Sequence, residues 1–352
     1  MLPPRRFSTR ALACVVVGFV AWALAPWSPA RGATAREPGP FRGLGAWVDA
    51  FDYAPAFQSA SGPVAVTPDS VEDMAALGAK TLYLQAAMND SRSPGKIIDE
   101  RLVGEFLSRA HREGMEVVAW YYPTLTDVAA DLAHVEALVD FRHRGQRFDA
   151  LALDIESTQT VRDVDDRNSR VVKLAAKSRE LVGDEQPLAA IVYPAVQIEV
   201  VNPTLWPRFP YKRLGAHVDV WMPMAYWTFR DGVHRDPYVY TAESVTRLRE
   251  NLGDRRALVH PIGGIADVTT TKDYEAFMRA VRDTRSVGWS VYDFATTMSS
   301  AWPRLRPGAL SAPTTTTTAG AAGSTSASIA ATAKVSSFAT GSHVAAEATA
   351  SR

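Results

Sequence analysis

Phe148-Asp149-Ala150-Leu151-Ala152-Leu153-Asp154-Ile155-Glu156 is the stretch on which the reading of this 352-residue chain turns. Side chains alternate along a β-strand, so Ala150, Ala152, Asp154 and Glu156 share one face and Leu151, Leu153 and Ile155 the other. A strand that is apolar on both faces belongs to a parallel sheet covered on both sides. The leucines suit packing under helices, and the small alanines suit a crowded interior. The two acids stand at the strand's carboxyl end, about 7 Å apart.

The same pattern recurs on either side. Strands are expected over residues 44–49, 81–85, 116–122, 150–156, 188–193, 218–226, 257–261 and 287–294. Amphipathic helices are expected between them. One opens at Thr67-Pro68 and closes at Gly78, and another runs from Asp99 to Gly114. Others fall over 127–144, 165–182, 241–251 and 271–284. Eight strands, each followed by a helix or long loop over roughly 260 residues, predict an α/β fold with a single (β/α)8 TIM barrel. An open doubly wound sheet is the competitor. It would carry a glycine-rich phosphate loop after its first strand, where this chain has Ala50-Phe51-Asp52-Tyr53.

In such a barrel the chemistry gathers at the carboxyl ends of the strands. The residues there are Asp49, Gln85, Trp120, Tyr122, Asp154, Glu156, Tyr193, Tyr226, Trp227, His260, Tyr292 and Asp293. Two carboxylates on one face compete for ionisation, so one can stay protonated near neutrality, as general acid catalysis of glycosidic cleavage requires. The bland alternative is a pair of solvated or arginine-paired acids. Aromatic rings stack on the C–H faces of sugars, while Asp, Gln and Tyr bind hydroxyls. Glu156, Asp154 and Tyr226 are therefore the catalytic candidates. Asp49, Gln85, Trp120, Tyr122, Tyr193, Trp227, Tyr292 and Asp293 are the substrate-binding candidates. Trp206, Phe209 and Tyr211 are weaker candidates for a loop wall. Trp47-Val48-Asp49 lacks the His-x-His of metal-dependent amidohydrolase barrels, and His260 alone reads as structural. No metal or cofactor is expected.

Composition agrees. Lys plus Arg and Asp plus Glu both number 38, so no basic surplus draws the chain to nucleic acid. Hydrophobic residues at 47 % and charged residues at 22 % are ordinary for a globular protein. The single cysteine, Cys14, excludes an intrachain disulfide and a cysteine zinc site.

The ends read differently. Arg5, Arg6 and Arg10 precede an uncharged apolar run over 11–24, and Ala33-Thr34-Ala35 offers a small-residue cleavage site. A signal peptide over 1–35 is expected, with an uncleaved membrane anchor as the alternative. Either places the barrel, 36–308, outside the cytoplasm, secreted or on the cell envelope. Residues 309–352 are mostly Ala, Thr, Ser and Gly and lack core-forming groups, which predicts a disordered tail.

The segment from Asp149 to Glu156 resembles the Asp-Gly-x-Asp-x-Asp-x-Glu signature of family 18 glycoside hydrolases, the chitinase-type barrels. Asp149, Asp154 and Glu156 fall on its first Asp, third Asp and Glu, while Ala152 replaces the middle Asp. Met224-Ala225-Tyr226 resembles that family's Met-x-Tyr-Asp, with Trp227 in place of the Asp, and residues 288–293 resemble its last strand. Thr81-Leu82-Tyr83-Leu84-Gln85 and Val118-Ala119-Trp120-Tyr121-Tyr122-Pro123 are similar to uncharacterised glycosyl-hydrolase-like barrels of secreted bacterial proteins. The resemblance implies that Glu156 donates the proton, Asp154 orients it and Tyr226 binds an acetamide. Family 25 lysozyme-like barrels also pair Asp-x-Glu on strand four with an Asp on strand one, a role open to Asp49. The expected function is a secreted glycosidase acting on a polysaccharide or oligosaccharide. A non-catalytic carbohydrate-binding barrel is the alternative. Membrane contact is expected only if the N-terminal segment stays attached.

Overall fold

The computed structural model describes residues 37–58 and 64–310. The expected signal segment, and all of the expected tail beyond residue 310, lie outside the described residues. The described residues form nine parallel strands: β1 (Gly43–Val48), β2 (Thr81–Met88), β3 (Glu116–Tyr122), β4 (Ala150–Ile155), β5 (Leu188–Val192), β6 (Val220–Pro223), β7 (Leu258–Val259), β8 (Ile262–Ile265) and β9 (Gly288–Tyr292). Their order, β7-β6-β5-β4-β3-β2-β1-β9-β8, is that of an eight-staved barrel with one stave split. β7 and β8 are the two halves of that stave, interrupted at His260-Pro261. The first half pairs with β6 and the second with β9. A bridge from Met224 to Ile262 closes the ring. Pro261 has no N–H for the ladder, which is why the stave breaks there. The molecule is a (β/α)8 barrel.

The helices are α1 (Ala50–Tyr53), α2 (Ser70–Ala76), α3 (Glu100–Arg112), α4 (Val128–Asp140), α5 (Val164–Val182), α6 (Tyr211–Gly215), α7 (Pro237–Leu252), α8 (Thr271–Asp283) and α9 (Trp302–Leu305). Short acceptor side chains set their starts by taking backbone N–H groups that the first turn leaves unpaired. Asp99 accepts from Leu102 N at 2.9 Å, Asp163 from Asp166 N at 2.8 Å and Asp236 from Val239 N at 3.0 Å. Asp236-Pro237 starts α7 four residues before the expected 241, because Pro fits the first turn. α4 stops at Asp140, short of the expected 144, since Arg144 and Gly145 adopt positive φ in a tight turn. Among the described residues no helix is long and apolar enough to cross a membrane.

Two layers of apolar side chains result. Leu151, Leu153 and Ile155 pack outward under the helices, while Ala150, Ala152, Ala189, Val118 and Met222 fill the barrel with Trp47, Tyr83 and Trp120. Tyr83 stacks on Trp47 with ring centroids 4.5 Å apart. It can lie there only because Gly45 has no side chain: a Cβ at Gly45 would meet the Tyr83 ring. The amino end of the barrel is plugged by the 3₁₀ turn Gly39–Phe41, with Phe41 fully buried. A polar chain crosses this region. Trp47 Nε1 donates to Ser290 Oγ at 2.8 Å, Ser290 Oγ lies 3.0 Å from His260 Nε2, and His260 Nδ1 lies 2.9 Å from the Phe41 carbonyl. That carbonyl can only accept, so Nδ1 carries the hydrogen and Nε2 accepts from Ser290. Burial lowers the His260 pKa to about 4, and the ring is neutral. His260 is thus a satisfied structural histidine.

Candidate active site

At the carboxyl ends of the strands a cleft of about 240 Å³ opens. Asp49, Gln85, Trp120, Tyr122, Asp154, Glu156, Tyr193, Tyr226 and Tyr292 all line it. Nine of the eleven residues singled out from the sequence therefore share one cavity.

The other two, Trp227 and Asp293, do not line it. Tyr226 lines the cleft, and the chain turns into a short 3₁₀ helix at Trp227 (Trp227–Phe229). Trp227 is fully buried, with its ring 5.3 Å from that of Phe277 on α8. Its ring packs against Gly263 and Gly264: a Cβ at Gly264 would lie 2.8 Å from it, and one at Gly263 would meet both Val291 and Trp227. Trp227 is outer core and stacks on no sugar. Tyr292, the last residue of β9, lines the cleft, while Asp293 lies beside Asp49 and Asp52 and caps the following turn by accepting from Thr296 N at 2.9 Å. The expected strand over 218–226 also ends early, at Pro223. Two tight turns follow, Ala225 N donating to Pro223 O and Tyr226 N to Met224 O at 2.7 Å. Trp206, Phe209 and Tyr211 are buried and face no cleft. Trp206 Nε1 donates to Asn168 on α5 at 2.7 Å, and Arg167 stacks 4.4 Å from its ring.

One side of the cleft is acidic. Asp154, the last inward residue of β4, is only 7 % exposed and its Oδ1 has no hydrogen-bond partner. Burial raises its pKa to about 8, so it holds a proton at neutral pH. The expected rise at this pair is present, and its cause at Asp154 is burial. Glu156 follows one residue beyond β4, where Glu156 N donates to Asp154 O at 3.2 Å. Tyr193 OH donates to the Glu156 carbonyl at 3.1 Å and braces this turn. Beneath it, Arg167 Nη1 donates to Thr158 O at 2.7 Å. Glu156 thus sits on a loop held from below. Burial, then the charges of Glu156 and Asp154, push the Tyr226 hydroxyl well above its usual range. Asp149, the first acid of the quoted stretch, sits at the other end of β4. There it accepts from Val117 N at 2.7 Å and lies 2.9 Å from His111 Nε2 on α3. It is structural.

An arc of rings adjoins the acidic side. Trp120 meets Trp47 edge-on at 5.8 Å, Trp47 meets Tyr292 at 6.2 Å and Tyr292 meets Tyr226 at 6.3 Å. Trp47, Asn89 and the polar run Ser157-Thr158-Gln159-Thr160 also line the cleft and went unread in the sequence. A hydroxyl-rich tetrad directly after Glu156 is the signal that could have found the last of these.

Asp49 has a second duty. It caps α1, its Oδ1 accepting from Phe51 N at 2.7 Å and Asp52 N at 3.1 Å, while Asp52 accepts from Asp49 N at 3.2 Å. Its Oδ2 accepts from Tyr292 OH at 2.5 Å. Asp49 therefore holds Tyr292 in place. Gln85 Oε1 accepts from Ala50 N at 2.9 Å and fixes the same corner. Oxygens of Asp49, Asp52 and Asp293 lie within 4.8 Å of one another, a spacing that could hold a cation. All three carboxylates already accept hydrogen bonds as caps, and burial together with the charges of Asp49 and Asp293 raises Asp52 to about 9. A proton on Asp52 does what a cation would otherwise do there.

No family model matches the chain, and no curated protein matches it in sequence. Solved structures do match in fold. The spore cortex-lytic enzyme SleL of Bacillus cereus aligns with a TM-score of 0.55 at 9 % identity, over 75 % of this chain and 73 % of that one. The class V chitinase of Nicotiana tobaccum aligns at 0.54 and 10 % identity, over 77 % and 99 %. The chitinase-like agglutinin of Robinia pseudoacacia aligns at 0.50 and 11 % identity, over 73 % and 96 %. The chain has the barrel fold of glycoside hydrolases, with family 18-type chitinases among its structural neighbours.

Proposed function

We propose that the protein is a secreted glycoside hydrolase that cleaves O-glycosidic bonds of an extracellular polysaccharide or oligosaccharide. The observation that carries this is the placement of Asp154 and Glu156 together on one wall of an aromatic-lined cleft at the carboxyl end of the barrel. In this reading the rings of Trp120, Tyr122 and Tyr292 take the faces of the sugar. Glu156 delivers a proton to the leaving oxygen, and Asp154 shares and directs that proton from the buried floor. Tyr226, next to both carboxylates, donates its hydroxyl hydrogen to the substrate. Tyr292, fixed by Asp49, positions the ring from the other side. A variant of the tobacco chitinase is described in complex with NAG4, which supports an oligosaccharide as the ligand class.

A second reading is a carbohydrate-binding barrel without hydrolysis. The same fold serves the Robinia agglutinin, and Ala152 stands where the chitinase signature has an acid. Hydrolysis screens of the purified protein against a glycan panel separate the two. Under the first reading, Glu156→Gln lowers turnover by about 10²–10⁴-fold while binding persists, since general acid catalysis contributes that much. Full turnover in Glu156→Gln would remove Glu156 from the mechanism. Binding without cleavage by wild type would establish the second reading.

A further inference from the structure

Four carboxylates, Asp49, Asp90, Asp154 and Glu156, are among the cleft-lining residues, and no Lys, Arg or His is. The nearby cations are engaged elsewhere. Arg92 binds Asp90 through Nε at 2.9 Å and Nη2 at 2.8 Å, and lies over the Phe57 ring. Arg167 serves the carbonyls of Thr158 and Val161. Asp49 spends both oxygens on α1 and Tyr292. Asp154 differs. It is 7 % exposed, lines the cleft, and keeps Oδ1 without a partner. Trp120 Nε1 is a second orphan in the same wall, on a side chain 5 % exposed. A buried acceptor and a buried donor left open at one cavity are costly unless a ligand completes them.

Taking the glycosidase reading as its base, we infer that the inner cleft selects a hexosamine whose amine is free and protonated. Asp154 Oδ1 accepts from the ammonium and Trp120 Nε1 donates to a ring hydroxyl. A carboxylated or sulfated sugar finds no Lys, Arg or His among the lining residues to balance its charge. An N-acetylated sugar brings a neutral amide N–H and its methyl group, and offers no charge against which the buried carboxyl could ionise. The ammonium also takes over what the proton does on Asp154. With Asp154 ionised against the amine, the proton it held passes to Glu156, so the pair keeps one proton and the acid beside the leaving oxygen is loaded. Tyr226, Tyr193, Tyr122, Tyr292, Asp49 and Asp90 are the other titratable groups that line the cleft. The tyrosines stay neutral near pH 7 and the carboxylates reinforce the preference for a cation.

The test is calorimetric binding of glucosamine oligosaccharides, their N-acetylated counterparts and uronic-acid oligosaccharides of equal length to the whole protein, at about pH 6, where the amine is protonated. The amine form should bind at least about tenfold tighter than the N-acetyl form, with affinity falling as salt rises. Asp154→Asn should erase that ratio. Equal or tighter binding of the N-acetyl or anionic form, or no binding of amine sugars, overturns the inference. So does a ratio that survives in Asp154→Asn. Cleavage of neutral or N-acetylated glycans without amine preference leaves the glycosidase reading standing and removes this one. Amine-selective binding without cleavage does the reverse.

Discussion

Asp154→Asn should make the protein more stable at neutral pH while removing its proposed chemistry. The folded group has a pKa near 8 because it is buried, against 3.8 for an ordinary Asp. Between those values the folded chain holds a proton that the unfolded chain has released. Stability from this group is therefore complete below about pH 4 and lost as pH rises towards the folded pKa. At about 1.36 kcal/mol per pH interval, the cost at about pH 7 reaches roughly 4 kcal/mol. Asn has nearly the same shape and no such proton. It does keep the unpaired oxygen and adds an amide to satisfy, which returns about 1–3 kcal/mol. The expected net gain is about 2 kcal/mol at neutral pH, or roughly 4–8 °C in Tm for a domain of this size. Thermal unfolding followed by circular dichroism at about pH 4.5 and about pH 7.5 reads it out. His260 is common to both proteins and cancels. An unchanged or lower Tm at neutral pH, or an equal gain at both, would refute a buried, protonated Asp154.

Three further outcomes follow from the same geometry. Trp227→Ala should destabilise the fold by about 3–5 kcal/mol in denaturant titration, because a buried ring leaves a cavity, and any glycan affinity of the folded fraction should be intact. Tyr122→Ala should instead weaken oligosaccharide binding about tenfold at little structural cost. His260 is neutral in the folded state, with a pKa near 4 against 6.5 unfolded. Its contribution is complete above about pH 6.5 and falls as pH drops towards 4, by about 2 kcal/mol at pH 5. His260→Gln should be less stable overall yet lose less urea resistance between about pH 7 and pH 5 than wild type. A parallel decline in both proteins would count against a neutral His260.

The barrel is legible in the sequence because period two is. Leu151, Leu153 and Ile155 against Ala150, Ala152 and Asp154 announce which face is outer and which is inner before any coordinate is known. That period stops short of Trp227 and Asp293, since β6 ends at Pro223 and β9 at Tyr292, and the turns beyond the strands decide that both leave the cleft lining. The split seventh stave is less legible, since His260-Pro261 reads as a strand end and Ile262–Ile265 carries two glycines. Those glycines exist for Trp227 and its neighbours, a packing reason that no local pattern reveals. The open oxygen of Asp154 is also beyond the sequence. It depends on what does not reach it from β3, β5 and β6.

The plug at the amino end of the barrel bears on where the chain can be cut. Phe41 closes the floor and its carbonyl holds the His260 ring, so residues from about Gly39 onward belong to the folded body. Removal of a leader after Ala35 would spare the plug with three residues in hand. A protease cutting only six residues later would take Phe41 with the leader and leave His260, Tyr83 and Ser290 facing water at the barrel floor. The folded body thus begins within four residues of Ala35, and a chain trimmed beyond Pro40 should unfold more readily than one that begins at Arg36.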